Sequence, residues 1–182
     1  MRAIRSGNAE PPRAGPRATV DTRRWAAIKL APTGVAKGSG AGDDVMTSGY
    51  SGTPLLRKLG IRDGARLAIV SPPAGFEGVL GALPPGVHVR HQARGRLDVI
   101  LFFVTRRAEL ARRFPVFVRA LVPNGGLWVA WPKTTSGVAT DLAFEVVQTV
   151  GLDEGLVDNK VCAIDDTWSG LRFVHRLVDR PS

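Results

Sequence analysis

The sequence predicts an α/β fold, with a mostly parallel sheet, helices on both faces and a C-terminal antiparallel hairpin. Three observations carry that expectation. Residues 67–70, 99–104 and 127–131 are continuous apolar runs of strand length, as in strands covered on both faces. Segments with helical spacing of apolar residues alternate with them, the order that builds parallel sheets. The last two strand-like runs, 161–164 and 171–177, are joined by Asp165-Asp166-Thr167-Trp168-Ser169-Gly170, a link that suits a hairpin.

Each element has a local reason. Thr53 and Pro54 open a short helix as N-cap and first helical residue, and Gly60 offers a left-handed stop after Leu55, Leu56 and Leu59. Ile61-Arg62-Asp63-Gly64 turns the chain into the first strand at Leu67. A second short helix is expected over 75–83, where Phe76, Val79, Leu80 and Leu83 share a side, until Pro84-Pro85-Gly86 ends it. Residues 87–89 alternate like a strand, and 97–104 forms the strongest strand, expected at the sheet centre. From Arg106 to Val122 the period is helical. Leu110, Phe114, Phe117, Val118 and Leu121 face inward, while Arg106, Arg112, Arg113 and Arg119 fall away. Pro115 should kink or restart that helix, and Pro123-Asn124-Gly125-Gly126 should stop it. The last helix begins near Asp141, with Leu142, Val146, Val147 and Val150 inward and Gly151 as its stop.

The whole is a Rossmann-like layout with one open point. Only about seven residues, 91–97, link the second strand to the third, whereas adjacent parallel strands need a crossover of roughly a dozen. Either the two strands are not neighbours or the second runs antiparallel.

The 182 residues carry 25 Lys or Arg against 16 Asp or Glu, a formal charge of +9, of which +4 falls in residues 1–45. That segment is rich in Pro, Gly and Ala without helix or strand periodicity, so it is expected to be disordered, with a single domain over 46–182. It reads as a targeting leader, as a basic arm for nucleic acid, or as an inessential stretch upstream of a start at Met46. The lack of a hydrophobic run and the weak amphipathicity favour the last. Gly38-Ser39-Gly40-Ala41-Gly42 imitates a dinucleotide fingerprint, but no strand feeds it and no helix follows.

One cysteine excludes a disulfide framework and a thiolate metal cage, and points to a reducing, cytoplasmic setting. No apolar run approaches the roughly 20 residues of a membrane span. His88, His91 and His175 form no metal constellation, because His88 and His91 would point to opposite faces of a strand. Walker A, G-x-S-x-G and C-x-x-C patterns are missing, and no two residues stand out as acid and base. Cys162, between Val161 and Ala163-Ile164, reads as an inert core thiol.

From Leu97 onward the element order resembles the second half of a class I S-adenosylmethionine-dependent methyltransferase: a strand with Asp98 near its start, a helix ending in Leu121-Val122-Pro123-Asn124-Gly125-Gly126, a strand, a helix and a terminal hairpin. The resemblance implies S-adenosylmethionine as a possible cofactor. The chain departs from it after the first strand, where a Gly-rich turn is usual and Ser71-Pro72-Pro73-Ala74-Gly75 stands instead. Three further boxes cover most of 46–179: Gly49-Tyr50-Ser51-Gly52-Thr53-Pro54-Leu55, Gly126-Leu127-Trp128-Val129-Ala130-Trp131-Pro132-Lys133 and Asp166-Thr167-Trp168-Ser169-Gly170-Leu171-Arg172-Phe173. In these the chain resembles a small bacterial family known as domain of unknown function 3052, which implies a small cytoplasmic domain and no particular activity.

Open α/β sheets bind ligands beyond the carboxyl ends of their strands. That rule gathers Ser71 to Gly75, Arg106 and its neighbours, residues 132–140 and, if the first hairpin strand is parallel to the rest, residues 165–170. Lys133, Ser136 and Thr140 lead towards a helix and suit an anionic group, with Arg106 and Arg107 adding charge. The competing reading is an ordinary loop in which Thr140 or Asp141 caps the helix and Lys133 is solvated. Trp131 and Trp168 are candidates for stacking on a flat ligand, with Asp166 accepting its hydrogen bonds, while Trp128 reads as packing.

The expectation is a domain that binds a small anionic or nucleotide-like ligand, or a protein partner, without chemistry of its own. One alternative is a methyltransferase with an atypical first loop. The other is a nucleic-acid module using the arginines of 106–119 and the basic N-terminal segment.

Overall fold

The computed structural model describes residues 54–179. Residues 1–45, the Gly38–Gly42 run, Met46 and most of the box that begins at Gly49 lie outside the described residues. The elements are α1 (Leu55–Leu59), β1 (Arg66–Val70), α2 (Phe76–Leu80), β2 (His88–Arg90), β3 (Leu97–Phe103), α3 (Arg107–Ala120), β4 (Leu121–Pro132), α4 (Phe144–Asp153), β5 (Val157–Ala163) and β6 (Trp168–Val174).

The six strands form one sheet in the order β2-β1-β3-β4-β6-β5. β1 pairs in parallel with β2 and β3, and β3 with β4. β6 is antiparallel to both β4 and β5, so β5 runs with the parallel set. The expected fold class therefore holds: a Rossmann-like, mostly parallel sheet with a terminal antiparallel hairpin.

Alternate residues of the central strands serve two cores. Ala68, Val70, Ile100, Phe102, Leu127, Val129 and Phe173 face α3 and α4, through Leu110, Phe114, Phe117, Val147 and Val150. Leu67, Ile69, Val99, Leu101, Phe103, Trp128 and Ala130 face α1 and α2, through Leu59, Phe76 and Leu80. Continuous apolar runs result because both phases of each strand are buried.

The short link after β2 has a simple explanation. β1 lies between β2 and β3, and Arg90 sits level with Ala68, itself level with Ile100. The chain must therefore cross two strand spacings and step back three residues, about 14 Å in all. The link reaches about 24 Å when extended. A three-residue edge strand makes the return possible without a helix.

Several expected boundaries move. Pro54 has φ −53° and ψ 143°, the N-cap conformation, so it stands one place before the helix it was expected to begin. α2 is shorter than expected: Phe76 and Leu80 are buried, but Val79 and Leu83 are exposed. α3 runs continuously through Pro115. The Pro123–Gly126 segment does not precede a strand but lies inside β4, which starts at Leu121. Five residues of β4 advance while β3 advances two, from the Leu97–Leu121 pair to the Val99–Gly126 pair. At this irregularity a Cβ on Gly125 would come within 2.9 Å of the Asp98 carbonyl oxygen. Nor does Gly151 end α4. It lies within the helix, where a Cβ would run into the Phe173 ring, and Gly155 at φ +85° follows the true end.

Candidate functional site

β1 leads to α2 on one face of the sheet and β3 leads to α3 on the other, so their outgoing loops diverge. This is the switch point at which open α/β sheets bind ligands. Since β5 is parallel to β4, its outgoing turn reaches the same edge. The structure thus brings together residues 71–75, 104–107, 133–141 and 164–167 as one rim.

The rim is laced by hydrogen bonds. The Thr140 hydroxyl donates to the Thr105 carbonyl at 2.7 Å and accepts the Leu142 N–H at 3.1 Å. The Asp141 carboxylate accepts the Arg107 N–H at 2.7 Å. Asp141 therefore caps α3, a helix 34 residues earlier in the chain, and α4 has no side-chain cap. The Lys133 ammonium donates to the Asp165 carbonyl at 2.6 Å, and the Lys133 N–H to the Thr167 carbonyl at 2.8 Å. Ser136 donates to the Lys133 carbonyl at 2.7 Å, closing its own turn. Asp165 rather than Asp166 organises the hairpin turn, accepting the N–H groups of Thr167 and Trp168. Asp166 is exposed.

The two indoles are not brought together. Trp131 belongs to the core under α3 and α4, and Trp168 to the core on the opposite face, where its ring meets Phe103 edge-on at 5.1 Å. They cannot sandwich one flat ligand. The alternation is arithmetical: Pro132 pairs with Trp168, and Trp131 is one residue out of phase with Pro132. Trp128 is fully buried, its indole N–H donating to the Leu59 carbonyl at 2.9 Å.

The residue the sequence misplaces is Arg113, expected on the solvated side of its helix. Its guanidinium lies 5.0 Å from the Phe102 ring centroid and 5.5 Å from that of Phe117. Nη1 donates to Ser71 Oγ and to Glu109 Oε1, each at 3.3 Å. Nε and Nη2 have no acceptor among the described residues. The helical period puts position 113 beside Phe117, and a long apolar stem ending in a flat cation covers a ring edge that solvent would otherwise meet. Ser71 has φ +54°, the left-handed region that disfavours a side chain. A strained residue and a held guanidinium thus meet across the switch point.

Around them, Arg106 and Arg107 are exposed at the start of α3, and Gly75 at φ +77° precedes α2. Pro72 and Pro73 offer no N–H, and α2 is only five residues long. The turn therefore does not fit the usual approach of S-adenosylmethionine to glycine backbone. Asp98 stands at the opposite edge of the sheet, where its carboxylate accepts from the Arg66 N–H at 2.9 Å, Nε at 2.9 Å and Nη2 at 3.0 Å. The Arg66 guanidinium holds the Asp98 carboxyl below the usual carboxylate range, against a smaller opposing effect of burial. Burial pushes the Cys162 thiol up. Among the described residues no group of three or more His, Cys, Asp or Glu is placed to hold a metal ion, and no helix is long and apolar enough to cross a membrane.

No family model matches the chain, and no curated protein does. Solved structures do. A SAM-dependent methyltransferase from Aquifex aeolicus is 15% identical, with a TM-score of 0.47 over 65% of this chain and 86% of that one. Precorrin-6y C5,15-methyltransferase from Geobacter metallireducens GS-15 is 9% identical, with a TM-score of 0.49 over 67% and 86%. Magnesium protoporphyrin IX methyltransferase from Synechocystis PCC 6803 with bound SAH is 11% identical, with a TM-score of 0.44 over 63% and 75%.

Proposed function

We propose that this chain binds a small anionic, nucleotide-like ligand beyond the carboxyl ends of β1 and β3, without chemistry of its own. The observation that carries the reading is Arg113. Its guanidinium is held over Phe102 and Phe117 and tied to Ser71, with Nε and Nη2 left over. A fixed planar fork with spare donors at a switch point suits a phosphate or carboxylate. Arg106 and Arg107 add positive charge at the same rim.

A second reading is a methyltransferase with an atypical first loop, and one observation favours it. The last strand enters antiparallel between the fourth and fifth, in keeping with the terminal hairpin that the class I methyltransferase resemblance implies. The boxes at 126–133 and 166–173 support membership of the domain of unknown function 3052 family, which supplies no activity.

Native mass spectrometry of the freshly purified full chain, repeated with a panel of nucleotides and with S-adenosylmethionine, tests both readings. A stoichiometric nucleotide that also raises the melting temperature by mass action, and is lost in Arg113→Ala, supports the first. S-adenosylmethionine acquired alone supports the second. A clean apo mass throughout overturns both and leaves a protein partner as the object of search.

A further inference from the structure

A second concave surface lies at the other end of the sheet. A hollow of about 280 Å³ is lined by Arg96, Arg119, His175, Asp179 and an apolar floor that includes Val118 and Leu121. The two arginines come from separate elements, the link before β3 and the last turn of α3, and the His175 imidazole from the residue following β6. Neither Arg96 nor Arg119 has a hydrogen-bond or ion-pair partner among the described residues. A basic residue in the last turn of a helix is explained by the helix dipole alone, so Arg119 by itself would carry no meaning. Arg96 belongs to no helix, and the dipole does not account for it.

We infer that this hollow is a binding site for a small organic anion, a phosphate or carboxylate head group bearing a short apolar group. Two arginines line one depression with a single carboxylate, Asp179, among the described lining residues, so an anion seated there can accept a charge-assisted hydrogen bond from each guanidinium. The floor of Val118 and Leu121 covers the apolar part of such a ligand. Asp179, the one acid on the lining among the described residues, sits in the short turn Leu177–Asp179, whose Leu177 and Val178 are 78% and 88% exposed. That turn supplies further apolar surface next to the hollow. The site is independent of the switch point, since the start of β3 and the end of the antiparallel β6 lie at the opposite edge of the sheet.

Phenyl phosphate, 3-phenylpropionate and inorganic phosphate are the probes, titrated into the full chain and followed by the His175 ring and the Arg96 and Arg119 side-chain resonances. The expected result is a saturable shift of those signals, tighter for phenyl phosphate or phenylpropionate than for inorganic phosphate. Preference between the first two identifies the head group. Arg96→Ala and Arg119→Ala should each weaken binding about tenfold, with Arg113→Ala leaving it unchanged. No saturable shift, equal binding by the double variant Arg96→Ala/Arg119→Ala, or loss in Arg113→Ala alone overturns the inference. Unchanged melting temperatures of the two single variants establish that they fold.

Discussion

Arg113 and Ser71, 42 positions apart, meet across the switch point at 3.3 Å while the guanidinium lies 5.0 Å from the Phe102 ring centroid. The arginine thus serves the core and the rim together. Arg113→Ala should cost about 1–2 kcal/mol of stability through lost ring and stem contacts. Arg113→Lys keeps the charge but loses the fork, so it should recover part of the stability and little of the ligand affinity. Urea unfolding and calorimetric titration of any ligand retained by the wild type check both parts. Wild-type affinity in the lysine variant would mean that charge alone acts there.

Ser71 sets a second test, because its φ of +54° costs about 1 kcal/mol or more for any residue with a Cβ. Ser71→Gly relieves that strain but gives up the bond to Arg113 and loosens the unfolded chain. These effects nearly cancel, and stability should stay within about 0.5 kcal/mol of wild type. Ser71→Val keeps the strain, adds β-branching and removes the acceptor, so a loss of about 2 kcal/mol is expected by chemical denaturation.

Gly151 gives opposite answers from local and tertiary reasoning. Propensity alone says that Ala in the middle of α4 stabilises by about 1 kcal/mol. The Phe173 ring occupies the place of the added methyl, and that ring also packs edge-on against Phe114 at 5.4 Å. Gly151→Ala should therefore destabilise by about 1–3 kcal/mol through overpacking. Gly151→Ala combined with Phe173→Leu should lose less than the sum of the two single changes. A stabilised single variant would show that the ring moves freely.

The same glycine explains how much of the molecule was legible in the sequence. Strand runs such as 67–70 and 97–104 announce themselves because both their faces are buried, and their alternation with helices gives the parallel sheet. Gly151 looks like a helix stop because sequence cannot distinguish a glycine needed for its φ from one needed for its lack of a side chain. The neighbour of β2 depends on strand order, which no local pattern encodes. At the rim, the edge itself follows from the fold class, but the sequence alone places Arg113 in solvent because its partners Ser71 and Phe102 belong to other elements. Asp141 shows the same limit: spacing ties it to α4, and the structure gives it to α3.

The pair at the far edge sets a pH dependence. Asp98 is held below its ordinary value by Arg66, so its contribution to stability is fully present above the unfolded-state value of about 3.9. It is lost as pH falls through the lower folded-state value. Asp98→Asn lacks this titration. The gap in urea midpoint between wild type and Asp98→Asn should be constant near neutrality and close as pH drops below about 4. Added salt should narrow it too, because both side chains are more than a third exposed. Parallel pH curves would show that the pair contributes nothing through charge.

Asp141 joins stability to the rim. Its carboxylate takes the N–H of Arg107, the first residue of α3, so it supplies both a cap and a negative charge at the start of a 14-residue helix. Asp141→Ala should cost about 1 kcal/mol, and Asp141→Asn less, since the amide oxygen keeps the bond and gives up only the charge. Removing the carboxylate also uncovers N–H groups beside Arg106 and Arg107, so millimolar phosphate should restore part of the lost melting temperature in Asp141→Ala. Melting curves with and without phosphate decide the matter. A deficit that phosphate does not narrow would mean that Asp141 works as a tether between two loops and that the start of α3 is no seat for an anion, which would leave the ligand's charge to Arg113.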